Sequence, residues 1–253
     1  MNRRFLAVGI NKFLMPGNNL QCCVQDCHTM MAVAESMGIS ADALTDQTAT
    51  KANIIGWLEG AVAQAKAGEL SYIGYSHSGH GTHYNRADGS LAEAIVPYDL
   101  VEKNGDWYLP TLFTEDEFRN LFNQIPLSCT AEIFGDLCFS QGLARVFGGR
   151  SIHNPANIEN VFRMADPNAK LQAGLNPNII LWSACSADET AADAPYLKNG
   201  AFTHSWEWAY QQDMKASRLE ILLRTKAEIK RCGFNQTPHL NAFNVKVQLP
   251  IGA

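Results

Sequence analysis

The sequence predicts an α/β fold: a mostly parallel central sheet of about six to eight strands with helices on both faces. Three observations carry this. Short, continuous apolar runs recur at 5–10, 70–75, 131–134 and 178–184, as strands buried on both faces require. Segments with helical apolar spacing lie between them, so strand and helix alternate. Two of the runs lead into glycine-rich loops, one carrying His80 and the other Cys138, where the crevice at the carboxyl ends of a parallel sheet collects reactive side chains.

Taken in order, residues 5–10 form the first strand. A loop with Pro16 and Gly17 follows, then a helix from about Gln21 to Met37, stopped by Gly38. Cys23 and Asp26 lie three apart near its start and share a face, and a carboxylate there is favoured by the helix dipole. Ala43 to Gln47 reads as a short strand. Thr50 caps the next helix, which carries Ile54, Ile55, Leu58 and Val62 and ends at Gly68. The strand from Leu70 to Tyr75 then delivers the loop with His77, His80 and His83. A spacing of three does not align side chains on one face of an extended segment, so a three-histidine metal site is not expected. His77 and His83 read as ordinary polar loop residues.

Asp88-Gly89-Ser90 is a turn, and Ala94 to Asp99 a strand with which Trp107 to Leu109 pairs as an antiparallel excursion. Thr114-Glu-Asp-Glu117 is a capping box whose helix turns Phe118, Leu121, Phe122 and Ile125 inward. Strand Ala131 to Phe134 leads to the cysteine loop. Residues 145–176 show no clean period beyond a short helix near 158–164. Asn178 to Ala184 is the next buried strand, followed by a polar loop from Cys185 to Asp193. Two helices follow: Phe202 to about Gln212, and one capped by Ser217 and Glu220 and closed by Gly233. The second turns Leu219, Leu222, Leu223 and Ile229 inward and its charges to solvent. Leu240 to Phe243 is expected as a final core strand, and Val245 to Leu249 as an edge strand.

A chain of 253 residues is long enough to bury a core without staples. Its net charge of −5 is spread along the chain, and nothing in it suggests a nucleic-acid groove or an anionic membrane surface. The apolar run at the start is too short for a signal peptide, and nothing reaches the length of a membrane span. Seven cysteines without a secretion signal point to free thiols in a reducing, cytoplasmic compartment. Cys22, Cys23, Cys27 and His28 match no zinc spacing and read as thiols packed in a helix.

A thiol becomes a good nucleophile when a neutral imidazole takes its proton, so His80 and Cys138 at two strand ends form a nucleophile–base pair. They are 58 residues apart (138 − 80), near the roughly 50 by which the histidine precedes the cysteine in caspases. Ser78-Gly79-His80-Gly81 and Asp136-Leu137-Cys138-Phe139-Ser140 resemble the two active-site motifs of caspase-fold cysteine peptidases (family C14), with the metacaspases and their bacterial relatives the nearer branch. Val8-Gly-Ile-Asn11, Leu20 to Asp26, Ala94 to Asp99, Ser183 to Thr190 and Gly233 to Pro238 extend the resemblance in family order over most of the chain.

The resemblance implies a caspase-like three-layer α-β-α sandwich in a single domain, 1–253. Residues 1–144 are the part with the histidine and cysteine, 145–176 a linker that is often cut during maturation, and 177–253 a smaller part. It implies peptide-bond hydrolysis through a thioester, with His80 as base, Cys138 as nucleophile and the backbone N–H groups of Gly81 and Cys138 as oxyanion donors. It also places Cys23, Asp26, Ser78 and Asp136 around the pocket for the residue before the cut. Two carboxylates there call for a cation, so the substrate is a protein or peptide cut after Arg, or Lys; Asp at that position is the competing specificity. No nucleic-acid or membrane partner is implied, and a monomer is expected.

Phe139 stands where the family usually has His, and Gln141 where it has Gly, which keeps an inactive, protein-binding module as the alternative function. Many metacaspases need calcium held by acidic residues. Two of those positions fall at Glu115 and Asp116, a third at Ala92 beside Glu93, and the fourth at Arg145. A cation at a ligand position repels Ca²⁺, so the expectation is no cofactor: Arg145 pairs with Glu115 or Asp116, and activity is calcium-independent. A nucleotide-binding doubly wound domain is a third reading, disfavoured because Asn11 to Gly17 lacks the G-x-G-x-x-G or phosphate-loop spacing.

Overall fold

The structure is a computed structural model that describes residues 1–103, 105–139, 176–185, 189, 191–242 and 244–252, with the backbone alone at 91, 138, 139, 244 and 245. Residues 145–175 of the linker with its expected helix, Gln141 and Arg145 lie outside the described residues.

The strands are β1 (Asn2–Gly9), β2 (Ser40–Thr45), β3 (Leu70–Asn85), β4 (Leu91–Ile95), β5 (Glu102–Lys103), β6 (Asp106–Trp107), β7 (Phe113–Thr114), β8 (Thr130–Phe139), β9 (Ile179–Ser183), β10 (Asp193–Ala194), β11 (Asn199–Gly200) and β12 (His239–Asn241). The helices are α1 (Cys23–Ser36), α2 (Lys51–Lys66), α3 (Glu115–Phe122), α4 (Ala201–Gln212), α5 (Arg218–Arg231) and α6 (Asn244–Val247). Among the described residues the main sheet has eight strands, in the order β12-β9-β8-β3-β1-β2, with β4 on the far end of β3 and β7 on β4. β2, β1, β3, β8 and β9 run parallel, while β12, β4 and β7 join antiparallel.

The apolar runs split between two cores as a period of two dictates. Leu6 and Val8 of β1 pack with Ile54 and Leu58 of α2 and Phe118 and Phe122 of α3. Phe5 and Ala7 face the other side, with Met30 of α1, Phe202 and Trp206 of α4 and Ile221 of α5. Three layers result. Gly9 is required where α1 meets β1, because a Cβ there would lie 2.1 Å from the carbonyl oxygen of Cys23. Capping follows the sequence: Thr50 accepts from the Asn53 amide, and Thr114/Glu117 and Ser217/Glu220 are full capping boxes.

Several expectations need correction. The histidine and cysteine motifs do not lie in loops. β3 runs through His80 to Asn85 and β8 through Cys138 to Phe139, because pairing with β4 and with each other continues the ladder. Trp107 pairs within the β5–β6 hairpin, and the partner of β4 is β7. The stretch from 244 is helical rather than an edge strand. β12 is an outermost, half-buried strand, and Phe243 lies outside the described residues. Leu223 is 58% exposed, whereas Arg218 of the same helix is fully buried. Arg218 bonds both carboxylate oxygens of Glu132, itself 0% exposed, at 2.8 and 2.9 Å, and reaches the carbonyls of Lys246 and Leu249. His77 is buried, with Tyr75 Oη 2.9 Å from its Nδ1, and desolvation lowers its pKa to about 3. Among the described residues no helix is long and apolar enough to cross a membrane.

Candidate active site

β3 and β8 are neighbours at the centre of the sheet, and their register sets His80 directly opposite Cys138. Adjacent strands lie about 4.8 Å apart, so the backbone brings the two residues onto neighbouring positions of one ladder. Fifty-eight residues of chain collapse into one rung of a ladder. Gly81, the next rung, stands opposite Phe139.

The imidazole of His80 is held from the other side. Its Nε2 is 2.8 Å from the backbone carbonyl oxygen of Asn18, in the loop after β1. A carbonyl only accepts, so Nε2 carries the proton and the Nδ1 lone pair is left to act as base. The ring of Phe13 packs at 5.0 Å between centroids. Burial lowers the His80 pKa, against smaller opposing effects from the Asn18 carbonyl and the charge of Asp193, so the neutral form a base needs is favoured.

Beside this rung lies an acidic pocket assembled from five elements, α1, β3, β8, β11 and α4. Asp26, in the first turn of α1, is 1% exposed; its Oδ2 accepts from Ser78 Oγ at 2.7 Å, and its Oδ1 from Asn199 Nδ2 at 2.9 Å and the Gly200 amide at 2.8 Å. Asp136 of β8 accepts from the Thr203 amide at 3.1 Å and Thr203 Oγ1 at 2.7 Å. Cys23 is buried next to them. The two carboxylates converge on Gly200, where a Cβ would sit 2.6 Å from Asp136 Oδ2 and 3.0 Å from Asp26 Oδ2. Burial raises both carboxyl pKa values; the charge of Asp136 adds to it at Asp26, and that of Asp193 at Asp136. Burial also raises the Cys23 thiol well above its usual range. Asp193 itself accepts the Gln21 and Cys22 amides at 2.8 and 3.0 Å, tying the loop before α4 to the start of α1.

All four residues expected around the pocket therefore come together: Cys23, Asp26, Ser78 and Asp136. Sequence reading missed Asn18, Asn199, Gly200, Thr203 and Asp193. Their partners are remote in the chain, and no local spacing announces them.

Glu115 and Asp116, at the start of α3, form a separate acidic pair, and a guanidinium sits on it. Arg86 at the end of the β3 hairpin reaches Glu115 at 2.6 Å and Asp116 at 3.0 Å, and Arg119 adds a second contact to Glu115 at 2.6 Å. Glu93 is buried against His83, 3.5 Å away. Ca²⁺ needs six to eight oxygens, and a guanidinium bonded to both carboxylates takes the place of that charge.

A family model described as the caspase domain, Peptidase C14, matches residues 2–249. Metacaspase-7 of Arabidopsis thaliana is 32% identical over 159 residues, covering 56% of this chain and 36% of that protein. Metacaspase-2 of Trypanosoma brucei brucei is 24% identical over 269 residues, covering 94% of this chain and 72% of that protein. The chain thus spans little more than a third of the length of the plant relative. Among solved structures, a Geobacter sulfurreducens protein superposes with a TM-score of 0.70 at 20% identity, covering 99% of this chain and 98% of that one. Caspase-1 of Spodoptera frugiperda superposes at 0.64 and 8% identity, covering 95% and 86%. At these identities the superpositions show the fold: a caspase-like three-layer sandwich.

Proposed function

This chain belongs to the caspase-domain family, Peptidase C14, and from that premise we propose that it is a cysteine endopeptidase cutting after Arg, or Lys. The observation that carries the reading is the pairing of His80 with Cys138 on one rung, beside a pocket holding Asp26 and Asp136. His80 Nδ1 takes the thiol proton and the Cys138 sulfur attacks the carbonyl carbon. The oxyanion is held by the backbone N–H groups of Gly81 and Cys138. The imidazolium returns its proton to the departing amine, and water, deprotonated by His80, then releases the acyl group as a carboxylate and restores the thiol.

Arg is favoured because its planar fork can bond two carboxylate oxygens at once, whereas an acidic side chain would meet two like charges. The same reading makes activity independent of calcium, supported by Arg86 on the acidic pair. Arg145, the residue expected there from sequence, lies outside the described residues. The buried thiols Cys22, Cys23, Cys27, Cys129 and Cys185 are free, which suits a reducing, cytoplasmic setting.

Turnover of matched fluorogenic peptides ending in Arg, Lys or Asp tests the proposal. Arg hydrolysis exceeding Lys, with Asp untouched and all activity lost in Cys138→Ala, supports it. Absence of turnover by folded protein favours the binding-module alternative.

A further inference from the structure

The sheet has a direction across its active rim. From the nucleophile on β8 the order runs to the base on β3, then to β1 and β2. His80 hands its proton to the leaving amine, so the segment carrying that amine departs past the imidazole, away from the sulfur. It then crosses the ends of β1 and β2. A cavity of about 550 Å³ lies there, lined by Lys12, Phe13, Asn19, Asp46, Gln47 and Tyr98 among others. It is joined to the base directly: Phe13, one of its walls, is the ring packed on His80, and Asn19 follows the residue whose carbonyl holds Nε2.

The lining chooses a ligand. Asp46 spends Oδ1 on the Asn11 and Lys12 amides at 2.8 and 2.9 Å. Lys12 and Tyr98 also line the cavity, and neither side chain bonds to another described residue. Gln47 adds an amide. Donors free at a half-open polar cavity suit a side chain with acceptor oxygens. We propose that this cavity is a subsite for the first two residues after the cut bond, selecting Glu or Gln over Lys there. The inference rests on the peptidase reading of His80 and Cys138 and adds selectivity on the leaving side.

Two substrate kinds separate the two claims. An Arg–aminocoumarin amide has a neutral leaving group with no side chain for Lys12 to select, so Lys12→Glu should leave its kcat/KM within about twofold of wild type. Quenched peptides with Arg before the cut and Glu, Gln or Lys at each of the next two positions should show Glu preferred to Lys in wild type. The preference is about two- to fivefold, the scale of an exposed ion pair, and Lys12→Glu should reverse it. An unchanged Glu/Lys ratio in that variant overturns the subsite, as does an equal fall for both substrate kinds. Failure of both substrates in wild type overturns the peptidase reading, and the subsite with it.

Discussion

The carbonyl oxygen of Asn18 lies 2.8 Å from Nε2 of His80 and fixes which nitrogen of the ring is free. The same surroundings bury the imidazole and lower its pKa. A base with a lowered pKa stays neutral further into acid. At saturating Arg substrate, the acid limb of kcat should fall below pH about 6.5, the ordinary histidine value. A limb above that value would contradict the burial argument.

Asp26 and Asp136 make a second, opposite pH prediction. Both carboxyls have raised pKa values, so the folded state holds protons the unfolded chain releases. Stability from this pair therefore falls as pH climbs from the ordinary carboxylate range toward neutrality. Arg binding requires the ionised pair, so KM should fall over the same rise. Asp26→Asn should raise KM by thirtyfold or more, from the roughly 2 kcal/mol or more that a buried charge partner is worth, and should flatten its pH dependence. A thermal melt against pH should lose part of its decline in the same variant.

Much of this was legible in the chain, and the rest has a physical reason for being hidden. Continuous apolar runs located β1, β3, β8 and β9, and caps located α2, α3 and α5, because those signals are local. His80 and Cys138 were found by residue type and motif. Their placement within strands was not, since glycines at 79 and 81 read as loop and only tertiary pairing with β4 and β8 holds them extended. Asn199, Gly200 and Thr203 meet carboxylates 67 to 174 residues away, and no periodicity records such a contact. Arg218 read as a solvated charge because its counterion, Glu132, lies 86 residues off.

That buried pair gives a stability prediction. Glu132 also accepts from Tyr72 Oη and Trp182 Nε1, so the carboxylate serves four elements at once. Removing one partner of such a pair leaves an uncompensated charge and costs about 3–5 kcal/mol. Glu132→Ala should lower the denaturant midpoint accordingly, read by equilibrium unfolding. A loss under 1 kcal/mol would mean that water reaches Arg218.

Arg86 on Glu115 and Asp116 predicts indifference to calcium. Rates in excess chelator and in millimolar calcium should agree within error. Strong calcium activation would show that the guanidinium yields the site.

The central claim is best tested by trapping. An arginyl chloromethyl ketone should alkylate one thiol, located by peptide mass spectrometry at Cys138. Labelling should vanish in Cys138→Ala and slow by about 10²–10⁴ in His80→Ala. No adduct on folded protein, or an adduct at another cysteine with Cys138 untouched, would contradict the account.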